Sequence, residues 1–369
     1  MNLLSRHKAL FVLLGLLLIF SISSLYWLLF RPPSGTSMTK VITIKKGMHL
    51  KKISTMLEQE GIIRNRHFFI GMATLLGKKA EIKAGEYEFD TRMLPFEVLN
   101  SLVKGQVKRH LVTIPEGYTL SQIAQYLEDL NIVEKEPFLQ KASSPAFIAS
   151  LGLSQPTLNR PYTSTVQGQH GSGITQSGTL STLEGYLFPE TYHLIKEMAP
   201  EEVVKLMVQQ FKKVFGPELQ TRASQSGISQ REAVILASII EKETSLLEEK
   251  PLISAVLHNR LKKKIPLQSD PTVIYGTKNF DGNLTKEHLM KPSPYNTYLI
   301  SGLPPTPICN PGKESILAAL YPAPVTYLYF VSKNDGSHYF SSTIEEHNQA
   351  VWKYQKSKKG ISGKITRAP

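Results

Sequence analysis

The chain has one cysteine, Cys309, in 369 residues. A single thiol excludes an internal disulfide framework and any cysteine-based zinc site, and it is compatible with an oxidising compartment. Metal-ligand patterns are missing too. There is no HExxH, and the ten histidines show no ligand spacing, so no metal and no cofactor is expected. His338 and His347 read as hydrogen-bonded fold residues. No Walker loop, GxGxxG or GxSxG occurs. Ser5-x-x-Lys8 matches a serine-acyltransferase motif by chance, since it precedes a long apolar run. Acidic residues are absent from both ends. Arg6, Lys8 and Arg31 stand without an acid in 1–31, and Lys353, Lys356, Lys358, Lys359, Lys364 and Arg367 stand without one in 353–369. The body between holds 34 bases against 30 acids, so the formal net charge of +13 sits mostly at the termini. That distribution suits a neighbouring anionic membrane or polymer and argues against nucleic acid.

With 41% hydrophobic and 20% charged residues, the chain is globular, and its length suits two or three domains. Residues 9–30, ALFVLLGLLLIFSISSLYWLLF, carry no charge. About 20 apolar residues span a bilayer core as a helix. Tyr26 and Trp27 suit the far interface, and Arg6 and Lys8 put the N-terminus in the cytoplasm. The alternative is a cleaved signal peptide, with Ser21 and Ser23 near its cleavage site. The run continues to Phe30, beyond a usual signal core, which favours a single-pass anchor. Either way, residues 32–369 are expected outside the cytoplasm.

An internal repeat follows, offset by 70. Thr43-Ile44-x-x-Gly47-x-x-Leu50-x-x-Ile53-x-x-x-Leu57 matches Thr113-Ile114-x-x-Gly117-x-x-Leu120-x-x-Ile123-x-x-x-Leu127. Each copy predicts a strand, a glycine turn and a helix. A strand returns at 84–89 and a short helix follows at 95–104. The repeat suits a binding module or a duplication for packing. The overall expectation is an α+β chain. It comprises a cytoplasmic stub (1–8), a transmembrane helix (9–30), a linker (31–40), a first small α+β module (41–110) and a second repeat (111–200). The second repeat contains a flexible Ser/Thr/Gln/Gly-rich insertion (154–182). A candidate catalytic domain (201–356) and a basic tail (357–369) complete the chain. Further helices are predicted over 201–214, 230–247, 252–261, 314–320 and 343–356, with strands at 327–331 and 338–340 joined by an Asn334-Asp335-Gly336 turn.

Ala233 to Ile240 has one hydroxyl among eight residues, so its helix is apolar nearly all round and must be buried. Glu241 follows at once, and Glu243 falls on another face. A carboxyl at the mouth of a buried helix loses hydration, which disfavours its charged form and suits a general acid. The plainer alternative is a Glu that solvates a helix end. Other candidate site residues are Glu184, Tyr186 and Glu190 of an aromatic loop suited to sugar rings. Gln268 and Asp270, with Asp270 also readable as a turn residue, and Tyr295 and Asn296 of a proline-stiffened loop complete the set.

Together these stretches resemble the YceG-like family of membrane-anchored endolytic murein transglycosylases. The matching residues are Leu183-Glu-Gly-Tyr-Leu-Phe-Pro-Glu-Thr-Tyr192, Leu236-Ala-Ser-Ile-Ile-Glu-Lys-Glu-Thr244, Val256-Leu-His-Asn-Arg-Leu261 and Leu267-Gln-Ser-Asp-Pro-Thr-Val-Ile-Tyr-Gly276. Ser293-Pro-Tyr-Asn-Thr-Tyr298, Gly302-Leu-Pro-Pro305, Asn310-Pro-Gly312 and Tyr329-Phe-Val331 with His338 and His347 continue the match over roughly residues 40–355. Thr306 and Cys309 stand where the family usually has small residues, and 154–182 is longer than its usual connection. The resemblance implies cleavage between N-acetylmuramic acid and N-acetylglucosamine inside peptidoglycan strands, with the family's catalytic Glu at Glu241. It implies LysM-like repeats, which bind such glycans, and an association with cell-wall synthases (penicillin-binding proteins) at the inner membrane. One Glu suffices if the muramic 6-hydroxyl, not water, is the nucleophile. Glu190 and Asp270 are the candidates if a second carboxylate takes part. Two rivals stand beside this reading: a non-catalytic peptidoglycan-binding anchor, and a hydrolase in which Glu190 or Asp270 activates water.

Overall fold

The computed structural model describes residues 3–30, 32–153 and 182–356, and the side chains of its first helix over 11–24. The insertion expected at 154–182, apart from Thr182, and the basic tail at 357–369 lie outside the described residues. Helix α1 (Leu3–Phe30) covers the apolar run with its backbone. Among the described residues no helix is long and apolar enough to cross a membrane. The side chains of Phe11, Leu16 and Phe20 in α1 are exposed.

Two compact units follow from the contacts, Met1–Leu111 with His193–Glu197, and Val112–Tyr192 with Met198–Pro369. In the first, β1 (Thr39–Ile44), α2 (Leu50–Gln59), α3 (Arg66–Leu75) and β2 (Gly85–Asp90) make a strand–helix–helix–strand motif, followed by α4 (Pro95–Lys104). The strands pair antiparallel, from Thr39 opposite Asp90 to Ile44 opposite Gly85. Alternation puts Ile42 and Ile44 into the core with Leu50, Ile53 and Leu57 of α2, Phe69 of α3 and Leu99 of α4. Before β1, the chain is tied to this unit: Arg64 donates to the Pro32 carbonyl at 2.7 Å, and Ser34 N–H donates to that of Thr91 at 3.3 Å.

The repeat recurs as β3 (His110–Thr113), α5 (Leu120–Asp129), α6 (Lys135–Ala142), the short α7 (Pro145–Ser150) and β4 (Thr191–Leu194), with β3 paired to β4. The repetition runs further than the sequence match, because α3 also has a counterpart, α6. The returning strand is delayed by the segment that contains 154–181.

Helices α8 (Pro200–Val214), α9 (Pro217–Gln225), α10 (Gln230–Glu243), α11 (Lys250–Lys262), α12 (Asp270–Gly276), α13 (Lys286–Met290) and α14 (Lys313–Leu320) follow. Helix α10 is central, packed by α9, α11, α12 and α14. That enclosure explains a helix apolar on every side: all eight residues from Ala233 to Ile240 are buried. Ser229 and Glu232 close a capping box at its start. Its end falls four residues before the expected 247. Thr244 is extended, and its hydroxyl accepts from Leu246 N–H at 3.1 Å, a side-chain bond that competes with a further helical turn. Asp270 is not a simple turn residue either. It opens α12, where Pro271 is tolerated because first-turn N–H groups need no helical partner. Strands β5 (Tyr329–Ser332) and β6 (His338–Ser341) form the expected hairpin, whose turn places Asn334 and Gly336 at positive φ. Helix α15 (Ile344–Val351) passes into a π-helical turn at Trp352–Lys356. Among the described residues the architecture is therefore α+β, with three separate two-stranded sheets.

Candidate active site

Helix α10 delivers Glu241 to a point where the N-termini of α11 and α14 converge. The Glu241 side chain is 9% exposed. Its Oε2 accepts from Ser315 Oγ at 2.6 Å, Gly312 N–H at 3.1 Å and Lys250 Nζ at 3.3 Å. Gly312 caps α14 and Ser315 lies in its first turn, so the positive end of that helix faces the carboxylate. Lys250 opens α11 and is itself buried. Oε2 is thus held by three donors, while Oε1 has no hydrogen-bond partner among the described residues. The sequence suggested a carboxyl that loses hydration at a buried helix mouth; the fold surrounds it with a cation and two neutral donors.

Beneath this point Asn310 joins the loops. Its Oδ1 accepts from Gly185 and Leu187 N–H at 3.0 and 2.9 Å, and its Nδ2 donates to Tyr118 O and Glu184 Oε1, each at 3.0 Å. Gly185 has φ +87, and a Cβ there would strike Pro307 and Val234, so glycine is required for the close approach. Ser238, the one hydroxyl in the buried run, accepts from Ile308 N–H at 3.0 Å, and Cys309 donates to the Ser238 carbonyl. Thr306 meets the Tyr295 hydroxyl at 2.8 Å.

The remaining sequence candidates do not gather around Glu241. Glu184 is buried, accepting from Leu120 N–H, the Tyr275 hydroxyl and Asn310. Burial pushes its carboxyl up to about 7 against those three bonds. Tyr186 is fully buried and packs edge-on against Phe211, which makes it a core ring and leaves no face for a sugar. Asn296 is buried and holds its own loop, donating to Leu289 O and Lys291 O. Glu190 is exposed, and its carboxylate accepts from Thr191 N–H. Gln268, Asp270 and Tyr295 each have partners of their own. Gln268 is exposed and accepts from Arg260, Asp270 accepts from the Tyr298 hydroxyl at 2.6 Å, and Tyr295 is half-buried against Tyr275. Glu243 points elsewhere on α10 and accepts from Ser269 Oγ at 2.5 Å. Burial raises it to about 7, opposed by the Ser269 bond and assisted by the Asp270 charge.

Sequence reasoning missed Lys250, Ser315 and Glu116. Lys250 follows a break in helical pattern, and Ser315 is far away in the chain, so neither carried a local signal. Glu116 did. In an otherwise matching repeat, the first copy has Lys46 where the second has Glu116. Glu116 is exposed, yet a Cβ at Gly312 would fall on its carboxylate. Among the described residues no group of three or more His, Cys, Asp or Glu is placed to hold a metal ion.

The model of the YceG-like family matches residues 42–353. An endolytic murein transglycosylase of Bacillus subtilis is 31% identical over 333 residues, 89% of each chain. One of Streptococcus pneumoniae is 29% identical over 345 residues, 88% of this chain, which spans 60% of that relative's length. A crystal structure of a YceG-like protein from Listeria monocytogenes matches with a TM-score of 0.55 and 32% identity, over 84% of this chain and 98% of that one. With a buried central helix delivering Glu241, and a family match that extends across both units, the chain belongs to the YceG-like family.

Proposed function

We propose that this protein is an endolytic murein transglycosylase, a lyase that cleaves peptidoglycan strands internally at the bond between N-acetylmuramic acid and N-acetylglucosamine. The observation that carries the residue assignment is the seating of Glu241, anchored through Oε2 with Oε1 unpartnered. The similarity to transglycosylases of two organisms supports the reaction class.

In this reading Oε1 of Glu241 carries a proton to the glycosidic oxygen as the bond to the muramic anomeric carbon breaks. The substrate's own acetamido group stabilises the oxocarbenium. Glu241, now a carboxylate, takes the proton from the muramic 6-hydroxyl, whose oxygen closes a 1,6-anhydro ring. The proton count on the enzyme returns to its start, no water is consumed, and Lys250 and Ser315 hold the carboxylate still through both steps. Gln268, Asp270 and Tyr295 are proposed to contact the glycan outside the reacting bond. Glu184 is proposed to support the loop beneath Glu241 instead of touching substrate.

The 9–30 run is proposed to anchor the protein in the cytoplasmic membrane with the rest outside, beside the synthases that polymerise the strands. Cleavage there would end glycan elongation. The two strand–helix–helix–strand motifs support LysM-like glycan-binding modules. Mass analysis of products from uncrosslinked strands tests the chemistry. The expected ends are 1,6-anhydro-muramic acid, one water lighter than reducing ends. Reducing ends as the main product would instead establish a hydrolase, and a Glu241→Gln variant that behaves like wild type would leave only a binding anchor.

A further inference from the structure

The proposed acid–base cycle uses both protonation states of Glu241. Glu241 must hold a proton before bond cleavage and be a carboxylate before ring closure. Lys250, buried at 3.3 Å, favours the carboxylate. So do the Ser315 hydroxyl, the Gly312 N–H and the positive end of α14. Lys242 on α10 adds a further positive charge, with its ammonium at 3.5 Å from the Gly117 carbonyl. A negative charge near the same anchor would act in the opposite direction.

The β3–α5 turn supplies it. Gly117 neighbours Glu241, since a Cβ there would make ordinary contact at 3.7 Å with both Glu241 Cγ and Lys242 Cδ. The turn is pinned, since Gly117 N–H donates to Asn310 O at 3.0 Å. Glu116, the residue before, lays its carboxylate on Gly312, whose N–H is bonded to Glu241. We propose that Glu116 is a positioning residue for the proposed reaction, an exposed carboxylate set against the Glu241 anchor that favours the proton-bearing form of Glu241 by like-charge repulsion.

The electrostatics of Glu116 agree. Its carboxyl is held above its ordinary value by desolvation first and then by the Glu241 charge, with Lys250 opposing and exposed Glu314 of α14 adding to it. Repulsion between two carboxylates is mutual, so a charge on one acts on the other. The first repeat copy, with Lys46 at the same place, lacks this charge. Lys250 and Glu116 therefore act on Glu241 with opposite sign.

This inference rests on Glu241 being the acid, and the test separates the two. The pH dependence of kcat/KM on uncrosslinked peptidoglycan strands is measured for wild type, Glu116→Gln, Glu116→Asp and Glu241→Gln. Glu116→Gln leaves the rate near wild type on the acidic side and moves the alkaline limb to lower pH. Above both limbs this costs about tenfold, carried by kcat with KM unchanged. Glu116→Asp restores part of the shift. An unmoved alkaline limb in Glu116→Gln, or a loss confined to KM, overturns the proposal while leaving Glu241 in place. An active Glu241→Gln enzyme overturns the underlying assignment. A second readout is independent of activity: the 13C carboxyl signal of Glu116 titrates at lower pH in Glu241→Gln than in wild type. An identical titration in the two proteins rejects the coupling.

Discussion

Glu241 and Lys250 form an ion pair with side chains 9% and 3% exposed. Taking one partner from such a pair leaves a buried charge and costs about 3–5 kcal/mol, whereas replacing both is often neutral. Glu241→Gln is therefore expected to lose ~10²–10⁴-fold in kcat and also to melt earlier. The double variant Glu241→Gln, Lys250→Met should recover the melting temperature without recovering activity. Recovery of both would show that the single variant failed through stability alone. Glu243 behaves differently, because its proton affinity is raised to about 7 by burial, with Ser269 opposing and Asp270 adding to it. The folded state then binds a proton more tightly than the unfolded chain, whose carboxyl keeps its ordinary value near 4.5. Stability is lost as pH rises from about 4.5 to 7, by at most about 3 kcal/mol from this group. Glu243→Gln keeps the oxygen that Ser269 bonds and cannot ionise, so its melting temperature should fall less over that window. Its activity should stay close to wild type. A pH profile of melting identical to wild type would count against the burial of that carboxyl.

At the scale of elements, α10 depends on being enclosed. Ile239 is fully buried within its ring of helices, and Ile239→Ala is expected to cost about 2–5 kcal/mol in denaturant unfolding. A loss under 1 kcal/mol would indicate that the surrounding helices collapse onto the gap. The join between α10 and α14 is equally specific. Gly312 combines a backbone donor for Glu241 with the absence of a side chain where the Glu116 carboxylate lies. Gly312→Ala is therefore expected to displace Glu116 and lower kcat while sparing the overall fold, since its φ of −73 is ordinary for alanine. Wild-type kcat in that variant would mean that the carboxylate can swing aside at no cost.

For the whole molecule, the proposed anchoring draws on the basic ends around a nearly balanced body. A reporter fused after residue 369 is expected to be active only outside the cytoplasm, with the protein retained in the membrane fraction and its N-terminus intact. A mature N-terminus near Ser24 would remove the anchor. The sequence by itself determined the local and periodic features: the paired repeat, the buried run from Ala233 to Ile240, and the hairpin at 329–341. Each is written in adjacent residues or in spacings of two and 3.6. Only the tertiary structure decided which of the polar candidates meet. Glu184, Tyr186 and Asn296 read as a sugar-binding set, yet they are buried supports, because aromatic and amide side chains serve a core as readily as a cleft. Lys250 and Ser315 bond Glu241, and Glu116 lies against the Gly312 that also bonds it, from three separate places in the chain, and no periodicity connects residues 116, 241, 250 and 315. Their convergence follows from how α10, α11, α14 and the β3–α5 turn pack, and packing is a property of the folded whole.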